Sequence, residues 1–255
     1  MSRNQNAMSV KYTHSKNLHT LLGAQEALPF IFGENPPSSI VDVGCGTGTW
    51  LRAASDAGVT KIKGINGLIP TEEELHIDSR RILEADLSLP LNLDEKFDMA
   101  LCLEVAEHLD QAHANQLIST LTKLSDHIIF SAAIPNQPGD HHVNCQWPSY
   151  WQQLFNEYGF ACEDSIRPVI WDRETIEPWY RQNIFVARRS AKAGAEPKLP
   201  PLIHHAMLPY IERALRRESQ SKQTASIENG RMPLFWYVKT PLRALAAKLK
   251  RSFRK

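Results

Sequence analysis

The sequence has few cysteines, no long apolar run and almost no net charge, and each lack excludes something. Its four cysteines, Cys45, Cys102, Cys145 and Cys162, form no C-x-x-C pair and fit no zinc spacing. A chain of 255 residues does not need disulfide staples, so reduced thiols in a cytosolic protein are expected. No stretch approaches the roughly 20 apolar residues of a membrane span. Residues 1–17 are polar and lack the apolar centre of a signal peptide. Internal repeats are absent, which excludes solenoids and propellers. With 42% hydrophobic and 22% charged residues, the chain can build a sizeable core. The net charge of +1 hides an asymmetry: residues 1–189 hold 15 Lys/Arg against 24 Asp/Glu, and residues 190–255 hold 14 against 4. The second part is either a basic appendage on a catalytic body or a counter-charge packed against it.

What is present is a pattern of short strands alternating with helices. Apolar positions over 18–32 recur at helical spacing, and Asn35-Pro36-Pro37-Ser38 ends that helix. Ser39–Val43 reads as a buried strand, followed by a helix over about 48–57. Further strands are expected at 61–65, 81–86, 97–104 and 126–133, with a helix over 110–124 for which Asp110 is the N-cap. A helix over 148–158 with Pro148 in its first turn follows. Residues 160–167 and 183–188 make a closing antiparallel pair. The pattern predicts a Rossmann-like α/β fold, with a seven-stranded, mostly parallel sheet and helices on both faces. The expected organisation is a disordered segment 1–17, a catalytic domain 18–190, a linker 191–202 and a basic helical extension 203–255.

The most informative stretch is Asp42-Val-Gly44-Cys45-Gly46-Thr47-Gly48, a glycine loop that follows a strand and opens a helix. Its G-x-G-x-G form, with an acid two residues before the first glycine, resembles motif I of the class I S-adenosylmethionine-dependent methyltransferases. The resemblance covers about residues 18–190. It implies that Asp42, Gly44, Cys45, Gly46, Thr47 and Gly48 cradle S-adenosylmethionine. The family's acid at the end of the second strand, which bonds the ribose, corresponds here to Asn66. An amide there lacks charge assistance, which is worth roughly 1 kcal/mol per bond. Asp86 resembles the family's contact to the adenine amine, with the Leu87 backbone reading the ring. The alternative for Asp86 is a turn or helix-cap residue.

Glu104-Val-Ala-Glu107-His108 then resembles the E-x-x-E-H motif of small-molecule O-methyltransferases such as those of quinone biosynthesis. It implies Glu104 beside the cofactor, and His108 as a base toward an acceptor hydroxyl, with Glu107 in support. His108 as a helix cap or partner of a buried carboxylate is the alternative. Glu104, Glu107 and His108, with His141 or His142, also offer O and N ligands to a divalent metal such as Mg²⁺. The run His142-Val-Asn144-Cys-Gln146-Trp147-Pro-Ser-Tyr150-Trp151 resembles a bacterial methyltransferase branch found in gene sets for cell-surface polysaccharides. A sugar or glycan acceptor is thereby implied. Asn144, Gln146 and Tyr150 would bond its hydroxyls and Trp147 would stack on its ring, with His142 as second base. Trp151 falls at helical spacing with Leu154, Phe155 and Tyr158 and is expected in the core. Trp171, Trp179 and Tyr180 either wall an acceptor pocket or pack under the last strand.

Residues 231–255 hold eight Lys/Arg and no acid, with Leu242, Leu245, Leu249 and Phe253 on one helical face. That suits peripheral contact with an anionic inner-membrane surface, though packing on the acidic body would suit it too. No nucleic-acid motif accompanies the charge, so no nucleic-acid partner is expected. The reading is an O-methyltransferase of a small molecule or glycan precursor. N- or C-methylation, or a non-catalytic binding protein of the same fold, are the other readings.

Overall fold

The computed structural model describes residues 20–228, with side chains through Lys222. The N-terminal stretch expected to be disordered and the basic run 231–255 lie outside the described residues. The chain divides into two compact units, one ending at Leu208 and the other beginning at Pro209.

The first unit is built on a seven-stranded sheet. Its strands are β1 (Ser39–Val43), β2 (Lys61–Asn66), β3 (Ile82–Glu84), β4 (Met99–Leu103), β5 (His127–Ser131), β6 (Phe160–Glu163) and β7 (Phe185–Arg189). They lie in the order β3-β2-β1-β4-β5-β7-β6. All neighbours are parallel except β7, which runs antiparallel to β5 and β6. Every residue of β1 and β4 is buried, as strands covered on both faces must be, and this is why β4 reads as an unbroken apolar run and β1 as one interrupted only by Ser39 and Asp42. The chain winds outward from β1 to β3, then returns to β4 on the other side of β1. That reversal opens a crevice at the carboxyl ends of β1 and β4, the place where open α/β sheets take ligands.

Side chains alternate between two cores. Ile40, Leu101 and Ile129 face one side with Leu28 and Ile31 of α1 (Leu21–Phe32) and Trp50 and Leu51 of α2 (Thr49–Asp56). Val43, Cys102 and Phe130 face the other with α3 (Ala114–Leu124) and α4 (Pro148–Glu157). Trp151 packs on Phe130 with ring centroids 5.3 Å apart, so it is core. Tyr180, on α6 (Pro178–Asn183), accepts a hydrogen bond from Trp50 Nε1 at 3.2 Å and is buried. Trp179 packs against the same core, and Trp171, just after α5 (Arg167–Ile170), packs tilted against His204. These three aromatics are therefore packing residues.

Two local expectations differ. Asp110 precedes a 3₁₀ turn (Gln111–His113) and makes no capping bond, and α3 begins only at Ala114. The segment 191–202, expected as a linker, is tied down. Glu196 Oε1 accepts from Gln152 Nε2, Asn156 Nδ2 and the Cys162 N–H, and Leu199 N–H donates to Gln152 Oε1. Its Ala/Pro/Lys composition hides the attachment, which rests on one glutamate side chain and on backbone groups of Pro197 and Leu199.

The second unit begins one residue into α7 (Leu208–Glu228), which carries Glu212–Arg216 and Glu218–Lys222 pairs one turn apart. No helix among the described residues is long and apolar enough to cross a membrane.

Candidate active site

The crevice has two sides. On the β1–β3 side the loop after β1 turns on left-handed glycines, with φ of 84° at Gly44, 53° at Gly46 and 80° at Gly48. A Cβ on Gly44 would sit 2.3 Å from Val105 Cγ2, and one on Gly48 would sit 2.6 Å from Ile77 Cγ1. Conformation and space thus both demand glycine at these two positions. The loop is pinned to β2 by Gly44 N–H and Cys45 N–H donating to Ile65 O. The Cys45 side chain points away from the crevice into the core against Gly64, and burial pushes its thiol pKa up. Thr47 pairs its hydroxyl with Thr49, and its carbonyl accepts from His76 N–H.

Asn66 stands at the end of β2, buried. Its Oδ1 accepts from Gly46 N–H at 3.3 Å and its Nδ2 donates to Leu68 O at 2.6 Å, so it braces the glycine loop. Asp86 is exposed after β3, and its Oδ1 accepts from Ser88 N–H and Oγ–H, an Asx turn. Leu87 is half-buried against the core. Asp42 lies under the loop, where burial raises its carboxyl to about 7.

The β4–β5–β7 side is made of buried polar side chains. Glu104 directly follows β4, with a left-handed φ of 55°. Its Oε1 accepts from Asn183 Nδ2 at 3.0 Å and its Oε2 from Gln137 Nε2 at 2.9 Å. Gln137 Oε1 in turn accepts from Gln182 Nε2 and Asn183 Nδ2. Glu107 is fully buried, with Oε1 accepting from Ala133 N–H and Oε2 without a hydrogen-bond partner. Burial, then the charge of Glu104, holds the Glu107 carboxyl well above the usual carboxylate range. Burial also raises Glu104.

His108 and His142 meet edge to face, ring centroids 5.0 Å apart. Burial first, then His142, brings His108 down to about 4, and burial lowers His142. Both imidazoles are therefore neutral near pH 7. His142 Nδ1 bonds Gln137 O at 3.1 Å, and because a carbonyl only accepts, the hydrogen is on Nδ1 and Nε2 carries the lone pair. The ring fits because Gly139 has no side chain; a Cβ there would stand 2.0 Å from Nε2. One ligand atom each from Glu107, His108 and His142 lie within 4.8 Å of one another, whereas His141 is exposed and Glu104 is held by its amides. Of the sequence-derived metal set, the structure thus gathers three.

In the loop after β5, Asn144 is buried and its Oδ1 accepts from Gln146 Nε2. Tyr150 packs edge-on against Trp151. Trp147 with Ser149, Lys198, Leu199, Pro200 and Pro201 lines a cavity of about 560 Å³.

Residues 15–183 match the family model described as a methyltransferase domain. The chain belongs to the methyltransferase-domain family. Among solved structures, the methyltransferase domain of bacterial CtHen1-C is similar with a TM-score of 0.51 at 17% identity, covering 68% of this chain and 100% of that one. DesVI of Streptomyces venezuelae is similar with a TM-score of 0.51 at 13% identity, covering 67% and 92%. Magnesium protoporphyrin IX methyltransferase from Synechocystis PCC 6803, solved with bound S-adenosylmethionine, gives a TM-score of 0.49 at 21% identity, covering 66% and 81%. No curated protein matches the chain.

Three residues of this buried polar cluster were not visible in the sequence: Gln137, Gln182 and Asn183. The signal was the polar triplet Arg181-Gln182-Asn183 wedged between Trp179-Tyr180 and the apolar run that opens β7. Polar residues entering a buried strand must find partners: Asn183 finds Glu104, Gln182 finds Gln137 and the His204 N–H, and Arg181 finds the Trp171 carbonyl.

Proposed function

We propose that this methyltransferase moves a methyl group from S-adenosylmethionine to a hydroxyl of a small molecule or of a sugar or glycan precursor. The observation that carries the reading is the close approach of the glycine loop to the end of β4, where Gly44 abuts Val105, three residues before the first of two neutral, edge-to-face imidazoles. The donor set at the strand ends suits the cofactor. Asn66 retains a second amide hydrogen and a lone pair for ribose hydroxyls, Asp86 a free carboxylate oxygen for an amine, and Glu104 a carboxylate for a cation. When bound, S-adenosylmethionine supplies an electrophilic methyl on a sulfonium and leaves as a neutral thioether.

The chain's own work is to position and to take a proton. The acceptor hydroxyl sheds its proton to His142 Nε2 or to His108 as its oxygen attacks. Keeping both imidazoles uncharged avoids repelling the sulfonium. The cavity beside Trp147 offers an aromatic face, a hydroxyl and an ammonium group, a surface suited to a sugar ring. Calorimetric titration with S-adenosylmethionine and S-adenosylhomocysteine, with and without Mg²⁺, tests the reading. Binding is expected, followed by methylation in a screen of sugars and lipid-linked glycans. No binding in either condition overturns it.

A second reading has a specific observation in its favour. Glu107 Oε2 is buried without a hydrogen-bond partner, next to His108 and His142. One carboxylate and two imidazoles suit a divalent cation, which would hold the acceptor oxygen and acidify it. The two readings exclude one another at His142, because a ligated Nε2 is no longer a base. Mn²⁺ and Mg²⁺ titrations of wild type and Glu107→Gln decide between them. Saturable binding lost in the variant supports the metal, and its absence in wild type supports the imidazole base.

A further inference from the structure

Glu104 is held more firmly than its position at the end of a strand requires. Two amides from distant segments donate to its two oxygens, Gln137 from the loop after β5 and Asn183 from the end of α6. These amides are themselves fixed. Gln137 Oε1 accepts from both Gln182 and Asn183, Gln182 Oε1 accepts from His204 N–H at 2.9 Å, and Gln182 O accepts from the buried Arg167 Nη1 at 3.1 Å. Arg167 is locked by Asp164 at 2.6 Å. Gln137, Gln182 and Asn183 are all more than nine-tenths buried, while Glu104 is only half-buried. A network this deep does not arise to solvate a surface carboxylate.

Its direction is informative. Val105, the next residue, is the side chain that a Cβ on Gly44 would strike. Glu104 therefore ends one residue from the glycine loop, at the rim of the crevice. The amides use two of the roughly four lone-pair sites on its carboxylate, Ser131 and the Glu107 carboxyl also approach it, and the side chain is still only half-buried. A carboxylate preset by two donated amide hydrogen bonds and still half-exposed is suited to receive a cation.

Resting on the methyl-donor reading, we infer that Gln137 and Asn183 are positioning residues that hold Glu104 to receive the ammonium group at the amino-acid end of the donor. They act through Glu104 and touch no ligand themselves. Removing an amide frees the carboxylate to swing and to hydrate, and the ammonium loses its fixed partner.

The test compares two ligands. S-adenosylhomocysteine carries the amino-acid end; 5′-methylthioadenosine lacks it. Dissociation constants for both are measured in metal-free buffer for wild type, Glu104→Gln, Asn183→Leu and the double variant. Each single variant is expected to weaken S-adenosylhomocysteine by about tenfold, the loss typical of a charge-assisted bond, and to change 5′-methylthioadenosine by less than about twofold. The double variant should bind no worse than Glu104→Gln alone, because Asn183 works through Glu104. Equal loss for both ligands, additive loss in the double variant, or no change in Asn183→Leu overturns the inference. If Asn183→Leu does not fold by circular dichroism, Gln137→Met removes the other amide and answers the same question. A wild type that binds neither ligand overturns the donor reading and this inference together. Binding of both by wild type with indifferent variants overturns the inference alone.

Discussion

The two sides of the crevice are built on opposite principles. The β1–β3 side works mainly with backbone: left-handed glycines, N–H groups donating to Ile65 O, and an Asx turn at Asp86. The β4–β5–β7 side works with side chains taken out of water. Glu104, Glu107, Gln137, His142, Gln182 and Asn183 converge from three separated stretches of chain. A backbone cradle needs the right local conformation and little else. A buried polar cluster needs every partner present at once, since an unmatched buried group costs about 1–3 kcal/mol. The first side offers shape, and the second can tune charge.

The contrast is broken most severely at Gly44. Gly44→Ala forces a side chain into a left-handed conformation and into Val105, and should lower stability by about 2–4 kcal/mol. Chemical denaturation measures this. Adding Val105→Ala should recover the part due to collision and leave the backbone part, which separates the two causes.

Asp42 gives the next largest effect. Its carboxyl is raised from 3.8 to about 7 by burial, so the folded state holds the proton more tightly than the unfolded state. The resulting stability is fully present below pH 3.8 and is lost as pH rises through about 7. Thermal midpoints of the ligand-free protein should therefore fall across that window by more than those of Asp42→Asn. Parallel curves would mean that Asp42 is ionised in the fold.

On the other side, the His108 imidazole should titrate near pH 4 by nuclear magnetic resonance, against an ordinary 6.5. Because this group is depressed, its contribution runs the other way, and stability rises as pH climbs from about 4 through 6.5. A midpoint at the ordinary value would place the ring in water and remove the contrast between the two sides. The smallest effect belongs to Asp86→Asn. Its side chain is exposed and an amide oxygen can close the same turn, so denaturation should change by less than about 0.5 kcal/mol.

Legibility in the sequence follows the same division. Strands such as Ser39–Val43 and the glycine loop were readable because local pattern and local structure coincide there. The E-x-x-E-H spacing also marked Glu107 and His108, and the histidine-rich loop supplied His142. Gln137, Gln182 and Asn183 were not readable, since an amide in a sequence looks like a surface residue until its partners are known. Cys45 was placed in the loop correctly, but its side chain faces the core because β2 offers Gly64 as a gap. The tether at Glu196 escaped notice for the same reason: its three partners come from α4 and β6, some 34–44 residues away.

Among the described residues, the non-glycine positions with left-handed backbone are Glu104, Asn136 and His141, and all three border the chemistry side. Each is held at about 1–2 kcal/mol above a relaxed conformation. A laboratory selection for heat resistance alone would find glycine at these positions early, and would flatten the rim that Glu104 and the histidine loop form. Variants recovered from such a selection would outlast the parent on heating while handling its ligands less well, a trade fixed by three backbone angles.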